Sequence, residues 1–231
     1  MPGSLVFAVV LRHPLFTRPR RRRTISRGYV SSDTTGIRPA RPDLDEGRIF
    51  ARFVNEIAEG GFRIMLGPRF VEVIAHAFVQ PGHGMSYEYT SFAERDGRIA
   101  GMVSGYVEGE EHESEDDALM IAPGNRLRRR MGAAFMRWRW RMIGHPFPGE
   151  FYVEFLIVDA ALRGQGIGAI LMDAMEARAR EAGVARLTLD VAVKNTRGRR
   201  FYERRGMNRV PNWPKGRLGR RVVMRMTKTL G

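Results

Sequence analysis

Residues 158–183 read VDAALRGQGIGAILMDAMEARAREAG. Gly164, Gly166 and Gly168 stand at the mouth of a run that keeps helical character until Gly183. A glycine inside a helix costs about 1 kcal/mol relative to alanine, so three at one helix start need a reason. Glycine lets a ligand come close to the main chain, and the unpaired N–H groups of a first helical turn attract an anion. The preceding segment EFYVEFLIVDAA (150–161) is rich in β-branched and aromatic residues and reads as a strand. Strand, glycine turn and helix together make an anion cradle. Two other phosphate motifs do not fit. A P-loop needs a Lys-Ser/Thr pair after its last glycine, and the dinucleotide fingerprint needs GxGxxG where this chain has GxGxG.

The pattern extends in both directions. Ile167, Ile170, Leu171, Ala174 and Met175 form the apolar face of the helix expected over 166–182. RLTLDVAV (186–193) is a further strand. NTRGRRFYERRG (195–206) is a short helix capped by Asn195 or Thr196 and stopped by Gly206, and RRVVMRMTKTL (220–230) is a last strand. Upstream, residues 35–38 read as a short strand. Asp43 and Glu46 resemble a capping box opening a helix with Ile49, Phe50, Phe53, Val54 and Ile57 on one face, ended by Gly60-Gly61. One or two helices follow in 62–80. A hairpin is expected from 89–94 and 98–107 around the turn Asp96-Gly97, with Gly101 and Gly105 weakening its second strand. The order predicts a mixed α/β fold with a central sheet flanked by helices.

Residues 108–149 read as an insertion before the glycine-turn strand. It opens with EGEEHESEDD, seven acids in ten residues, and continues with NRLRRRMGAAFMRWRWRMIGH. In the latter Leu127, Met131, Phe135, Trp138 and Met142 share a helical face, while Arg126, Arg130, Arg137 and Arg141 lie elsewhere on the wheel. Such a helix either lies on a membrane or nucleic acid, or packs on the core with its arginines paired to the preceding acids.

The 231 residues carry a formal net charge of +14, which points to an anionic partner or only to arginine-rich composition. There are no cysteines, so thiolate zinc sites and cysteine nucleophiles are excluded, and the five histidines lack ligand spacing; no metal is expected. The apolar run Leu5–Leu11 is far short of the roughly 20 residues that span a bilayer, and its arginines follow it rather than precede it. Residues 1–34, with Arg20–Arg23, therefore read as a disordered basic tail or an upstream start, and 35–231 as the domain. The expected location is the cytoplasm.

Leu156-Ile157-Val158, then Arg163-Gly164-Gln165-Gly166-Ile167-Gly168, and later Asn195, Gly198, Phe201, Tyr202 and Gly206-Met207 resemble the signatures of the GNAT superfamily of acetyl-CoA-dependent N-acyltransferases. Gly198 stands where alanine is usual and Met207 where an aromatic is usual. The resemblance implies a GNAT-like fold and acetyl-CoA as acetyl donor. It implies a diphosphate held on backbone N–H groups from Gln165 to Gly168 with Arg163 as charge partner, and a pantetheine arm along Leu156, Ile157 and Val158 where neighbouring strands splay. It also implies that Asn195 holds that arm and that Tyr202 protonates the leaving thiolate. From the residues alone, the alternative for Tyr202 is a core aromatic in a helix. Glu154 is a candidate base because it alternates with Leu156 and Val158, or else an ordinary solvated carboxylate. The acceptor would be an amine on a small molecule or peptide. A homodimer is allowed, and nucleic acid and a membrane span are not expected. The rivals are a non-catalytic acyl-CoA-binding module and an arginine-rich nucleic-acid-binding protein.

Overall fold

Alternating and 3.6-residue apolar patterns dictate where this chain can bury surface. In the computed structural model, which describes residues 35–109, 130, 134, 147–214 and 222–231, the strands form one seven-stranded sheet. The tail 1–34 and most of the 108–149 insertion, including the face of Leu127, Phe135 and Trp138, lie outside the described residues.

The elements are β1 (Gly36–Pro39), α1 (Leu44–Ile57), α2 (Gly61–Leu66), α3 (Phe70–Phe78), β2 (Thr90–Arg95), β3 (Arg98–Val107), β4 (Phe151–Val158), α4 (Ile167–Glu181), β5 (Arg186–Ala192), α5 (Thr196–Arg204), β6 (Asn208–Arg209) and β7 (Val223–Thr229). The sheet order is β1-β2-β3-β4-β5-β7-β6. Every neighbouring pair is antiparallel except β4 and β5, which α4 connects as a parallel crossover.

Each sheet face has its own core. Phe50, Val54, Phe62, Ile74 and Phe78 of α1–α3 pack with Phe92, Met102, Phe155 and Ile157. On the other face Ile167, Leu171, Met172 and Met175 of α4 pack with Val103, Leu156, Val158, Leu189 and Tyr202. Ile170 departs from the expected apolar face: it is 37% exposed, and Met172 is buried in its place. The buried face is turned from the expected one, running through Ile167, Leu171, Met172, Met175, Glu176 and Ala179.

Asp43 caps α1 through Asp45 and Glu46 N–H, as expected. The reciprocal half of a capping box does not form. Glu46 turns instead to Arg41 N–H at 2.8 Å and to the guanidiniums of Arg38 and Arg41. Gly101 has a reason the strand pattern does not show: a Cβ there would lie 2.6 Å from the Ile157 carbonyl oxygen. Its absence lets β3 close on β4, the strand that leads into the glycine turn.

Candidate active site

β4 and β5 begin as a regular parallel pair. Phe151, Tyr152 and Val153 pair with Leu187, Thr188 and Leu189, and there the ladder stops. β4 stays on β3 as far as Val158 opposite Gly101, while β5 stays on β7 as far as Ala192 opposite Val223. The sheet therefore opens between residues 154–158 and 190–192, leaving backbone edge along Leu156, Ile157 and Val158.

Side chains brace this opening. Asp190 follows the last rung of β5. It accepts bonds from Arg225 Nε at 3.0 Å and Nη2 at 2.7 Å, on β7, and from Tyr152 Oη at 3.2 Å, on β4. Both members of the ion pair are almost fully buried, and the Trp213 ring lies 4.1 Å from the guanidinium carbon. Burial pushes the carboxyl pKa of nearby Glu108 up; Arg225 opposes that rise and Glu150 adds to it. From the opposite side, α1 and the turn after it reach both lips. Glu56 holds Arg163, beyond β4, at 2.7 Å, and Glu59 holds Lys194, beyond β5, at 2.7 Å.

Glu154 sits where the strands part, and its geometry corrects the expected alternation. Ser104 pairs with Phe155 and Gly105 with Val153, so Glu154 is the extra residue of a β-bulge. It does not share a simple alternating face with Leu156 and Val158. Nor is it an ordinary solvated carboxylate, since it is 5% exposed.

Beyond β4, Gly164 and Gly166 adopt φ values of 85° and 86°, a left-handed backbone that side chains disfavour. Gly166 caps α4 without a side-chain bond, and the first intrahelical bonds run from Ala169 and Ile170 N–H to Gly166 oxygen. The N–H groups of Ile167 and Gly168 thus have no intrahelical acceptor. A cavity of about 220 Å³ adjoins them, walled by Gly164, Gly166 and Gly168 on one side and by Arg197, Phe201 and Arg204 of α5 on the other.

The expected site residues divide. Gly164, Gly166 and Gly168 meet at the cavity. Ile167 is buried in the core, and the Gln165 side chain accepts from Arg95. Arg163 lines the cavity, but its guanidinium donates to the Val158 carbonyl at 2.9 Å and to Glu56. It ties the loop to β4 and α1 rather than standing open as a phosphate partner. The cations facing the cavity from α5 are Arg197 and Arg204, which motif matching missed; their i, i+7 spacing with Phe201 between was the available signal. Asn195 caps α5 by accepting from Gly198 N–H at 2.9 Å. Gly198 makes room for that side chain, because a Cβ there would lie 2.4 Å from Asn195 Nδ2.

Tyr202 is a core aromatic, one of the two readings left open for it. Its ring is fully buried in the α4-side core, packed edge-on against Phe201 with centroids 5.1 Å apart. Its hydroxyl has no hydrogen-bond partner among the described residues, and burial pushes the phenol pKa well above its usual value. A buried donor kept neutral and lacking an acceptor suits a ligand that brings one. The glycine turn, the backbone edge and this hydroxyl all fit a phosphorylated thioester. Among the described residues no group of acids and histidines is arranged to hold a metal, and no helix is long and apolar enough to cross a membrane.

A family model described as acetyltransferase (GNAT) family matches residues 65–207. No curated protein is similar to the chain by sequence. Among solved structures, a crystal structure of an acetyltransferase is similar at 22% identity and a TM-score of 0.59, covering 84% of this chain and 99% of that one. An N-acetyltransferase from Staphylococcus aureus Mu50 is similar at 17% identity and a TM-score of 0.63, covering 84% and 100%. The PaiA N-acetyltransferase from Thermoplasma acidophilum, in complex with coenzyme A, is similar at 13% identity and a TM-score of 0.50, covering 85% and 99%. These likenesses extend over the mixed seven-stranded sheet and its flanking helices.

Proposed function

The chain belongs to the acetyltransferase (GNAT) family, and on that premise we propose that it moves an acetyl group from acetyl-CoA to a primary amine. The observation that carries this reading is the parting of β4 from β5 beside the glycine turn, with Tyr202 buried in the same core as Leu156, Val158 and Ile167 and its hydroxyl unpartnered among the described residues. A similar structure, PaiA, holds coenzyme A, which supports the same donor here. Acetyl-CoA would supply an activated acetyl group as a thioester.

In this reading the chain's own groups divide the work. Backbone N–H groups of the turn and the first turn of α4 hold the diphosphate, where the helix dipole adds a favourable field. The free edge of Leu156, Ile157 and Val158 takes the pantetheine arm as an added strand. A backbone N–H of that edge polarises the thioester carbonyl. Asn195, three residues beyond the end of β5, would contact the same arm. The amine nitrogen forms a bond to the carbonyl carbon as the carbon–sulfur bond breaks. Tyr202 gives its proton to the departing sulfur, and Glu154, directly or through water, takes the proton the amine loses.

The test is a panel of primary amines with acetyl-CoA, following free thiol and acetylated product together. The reading predicts equal amounts of thiol and N-acetyl product with at least one amine. Tight acetyl-CoA binding with no transfer to any amine would instead make the chain an acyl-CoA-binding module.

A further inference from the structure

Arg197 and Arg204 are seven residues apart on α5, so they lie on one face about 10 Å apart along the axis. Both line the cavity at the glycine turn, with Phe201 between them. Three other guanidiniums near α4 and α5 are engaged: Arg163 with Glu56, Arg205 with Asp173 and Glu176, and Arg225 with Asp190. Arg197 and Arg204 have no acidic partner among the described residues, and no carboxylate lines the cavity. A bare diphosphate at the start of α4 is already provided for by main-chain N–H groups. Two further forked cations on the opposite wall are charge beyond that need.

We propose that Arg197 and Arg204 bind a separate phosphate monoester, the 3′-phosphate of the donor's nucleotide, and so make the site selective for coenzyme A over its 3′-dephospho form. The inference rests on reading the glycine turn as the diphosphate cradle. A monoester carries nearly two charges at neutral pH and offers three acceptor oxygens, which suits two guanidiniums better than one. The diphosphate would lie on α4 and the monoester against α5, on facing walls of one cavity.

The experiment is calorimetric titration of the full chain with coenzyme A and with 3′-dephospho-coenzyme A at fixed ionic strength. It uses wild type, Arg197→Gln, Arg204→Gln and the double variant. Arg69→Gln serves as a charge-matched control, since Arg69 is exposed at the start of α3 on the opposite face of the sheet. Gln keeps a good helix former at exposed positions, and melting temperature checks the fold. Wild type should bind coenzyme A at least tenfold more tightly than the dephospho form. Each single variant should lose about tenfold toward coenzyme A. The double variant should bind both ligands equally, with affinity for the dephospho form unchanged. Arg69→Gln should keep the wild-type ratio. Equal wild-type affinities, or variants that lose both ligands in step, would overturn the proposal by assigning the arginines to the diphosphate or to the general field. Wild type binding neither ligand would overturn the cradle itself and the proposal with it. Wild type binding both, without preference, would overturn the proposal alone.

Discussion

Val153 and Leu189 are the last partners on the shared edge of β4 and β5. One residue later on β5, Asp190 links the strands through side chains, accepting from Tyr152 on β4 and from Arg225 on β7. A parallel pair that stops pairing leaves backbone groups that must find other acceptors and donors. Here they border the opening beside the glycine turn, and Tyr202 is buried in the same core as Leu156 and Val158. The buried polar triad holds that opening in place, at the expense of desolvating an ion pair.

This triad makes Asp190 a sensitive point. Asp190→Asn leaves the Arg225 guanidinium buried without its counter-charge, and breaking a buried pair in this way costs about 3–5 kcal/mol. Urea unfolding of the variant should show a loss of that size with an unchanged m-value. A loss below about 1 kcal/mol would mean that the pair is hydrated in solution and does not brace the opening.

Tyr202→Phe should separate stability from chemistry. The substitution keeps the buried ring and removes a hydroxyl that has no partner in the protein. Without donor bound, the variant should be as stable as wild type or more stable by about 1 kcal/mol. Acetyl-CoA affinity should stay close to wild type, while kcat and kcat/KM fall together on the order of 100-fold. A pH–rate profile with any accepted amine checks this. Equal kcat for the two proteins would leave Tyr202 a packing residue.

The acid limb of stability should trace to Glu176. Burial raises its carboxyl pKa, but bonds from Lys228 at 2.8 Å and Arg205 at 3.2 Å outweigh burial, and the net shift is downward. A carboxyl with a depressed folded pKa binds its proton less readily when native than when unfolded. Its contribution is complete above the unfolded value, near about 4.3, and is lost as pH falls through the folded value. Glu176→Gln should therefore cost about 1–3 kcal/mol at neutral pH and flatten the stability curve below that point. Glu46 is lowered in the same sense. Its own burial is outweighed by Arg41 and Arg38, so some slope should remain. Superimposable acid limbs would remove Glu176 from this role.

Local chemistry was legible in the sequence. The glycine turn before a helix and a cap at Asn195 or Thr196 are legible from residue types alone, and the apolar periods place α4 and β5 within one residue and β4 within three. What was not legible depends on partners distant in the chain. Arg163 matches a phosphate-binding position, yet it is engaged by Glu56, 107 residues away. Strand alternation put Glu154 beside Leu156, but the bulge opposite Ser104 breaks that alternation, and a bulge depends on the neighbouring strand. Gly101 read as a weakness of β3 because the Ile157 carbonyl that forbids a side chain there lies on β4.

Gly168→Asp tests most directly whether the glycine turn holds the donor. A Cβ at Gly168 would meet Phe201 and Val158 at 3.7 Å, an ordinary contact, so the substitution fits. An acidic side chain in the first turn of α4 is also favoured by the helix dipole, by about 0.3–1 kcal/mol. The variant should melt at or above the wild-type temperature. Its carboxylate, however, would stand in the cavity assigned to the diphosphate, where like charges cost several kcal/mol, so acetyl-CoA affinity should drop on the order of 100-fold or more. The measurement is calorimetric titration of acetyl-CoA into wild type and Gly168→Asp, each checked by melting temperature. Loss of binding in a folded variant is the predicted result. Wild-type affinity in that variant would contradict the assignment.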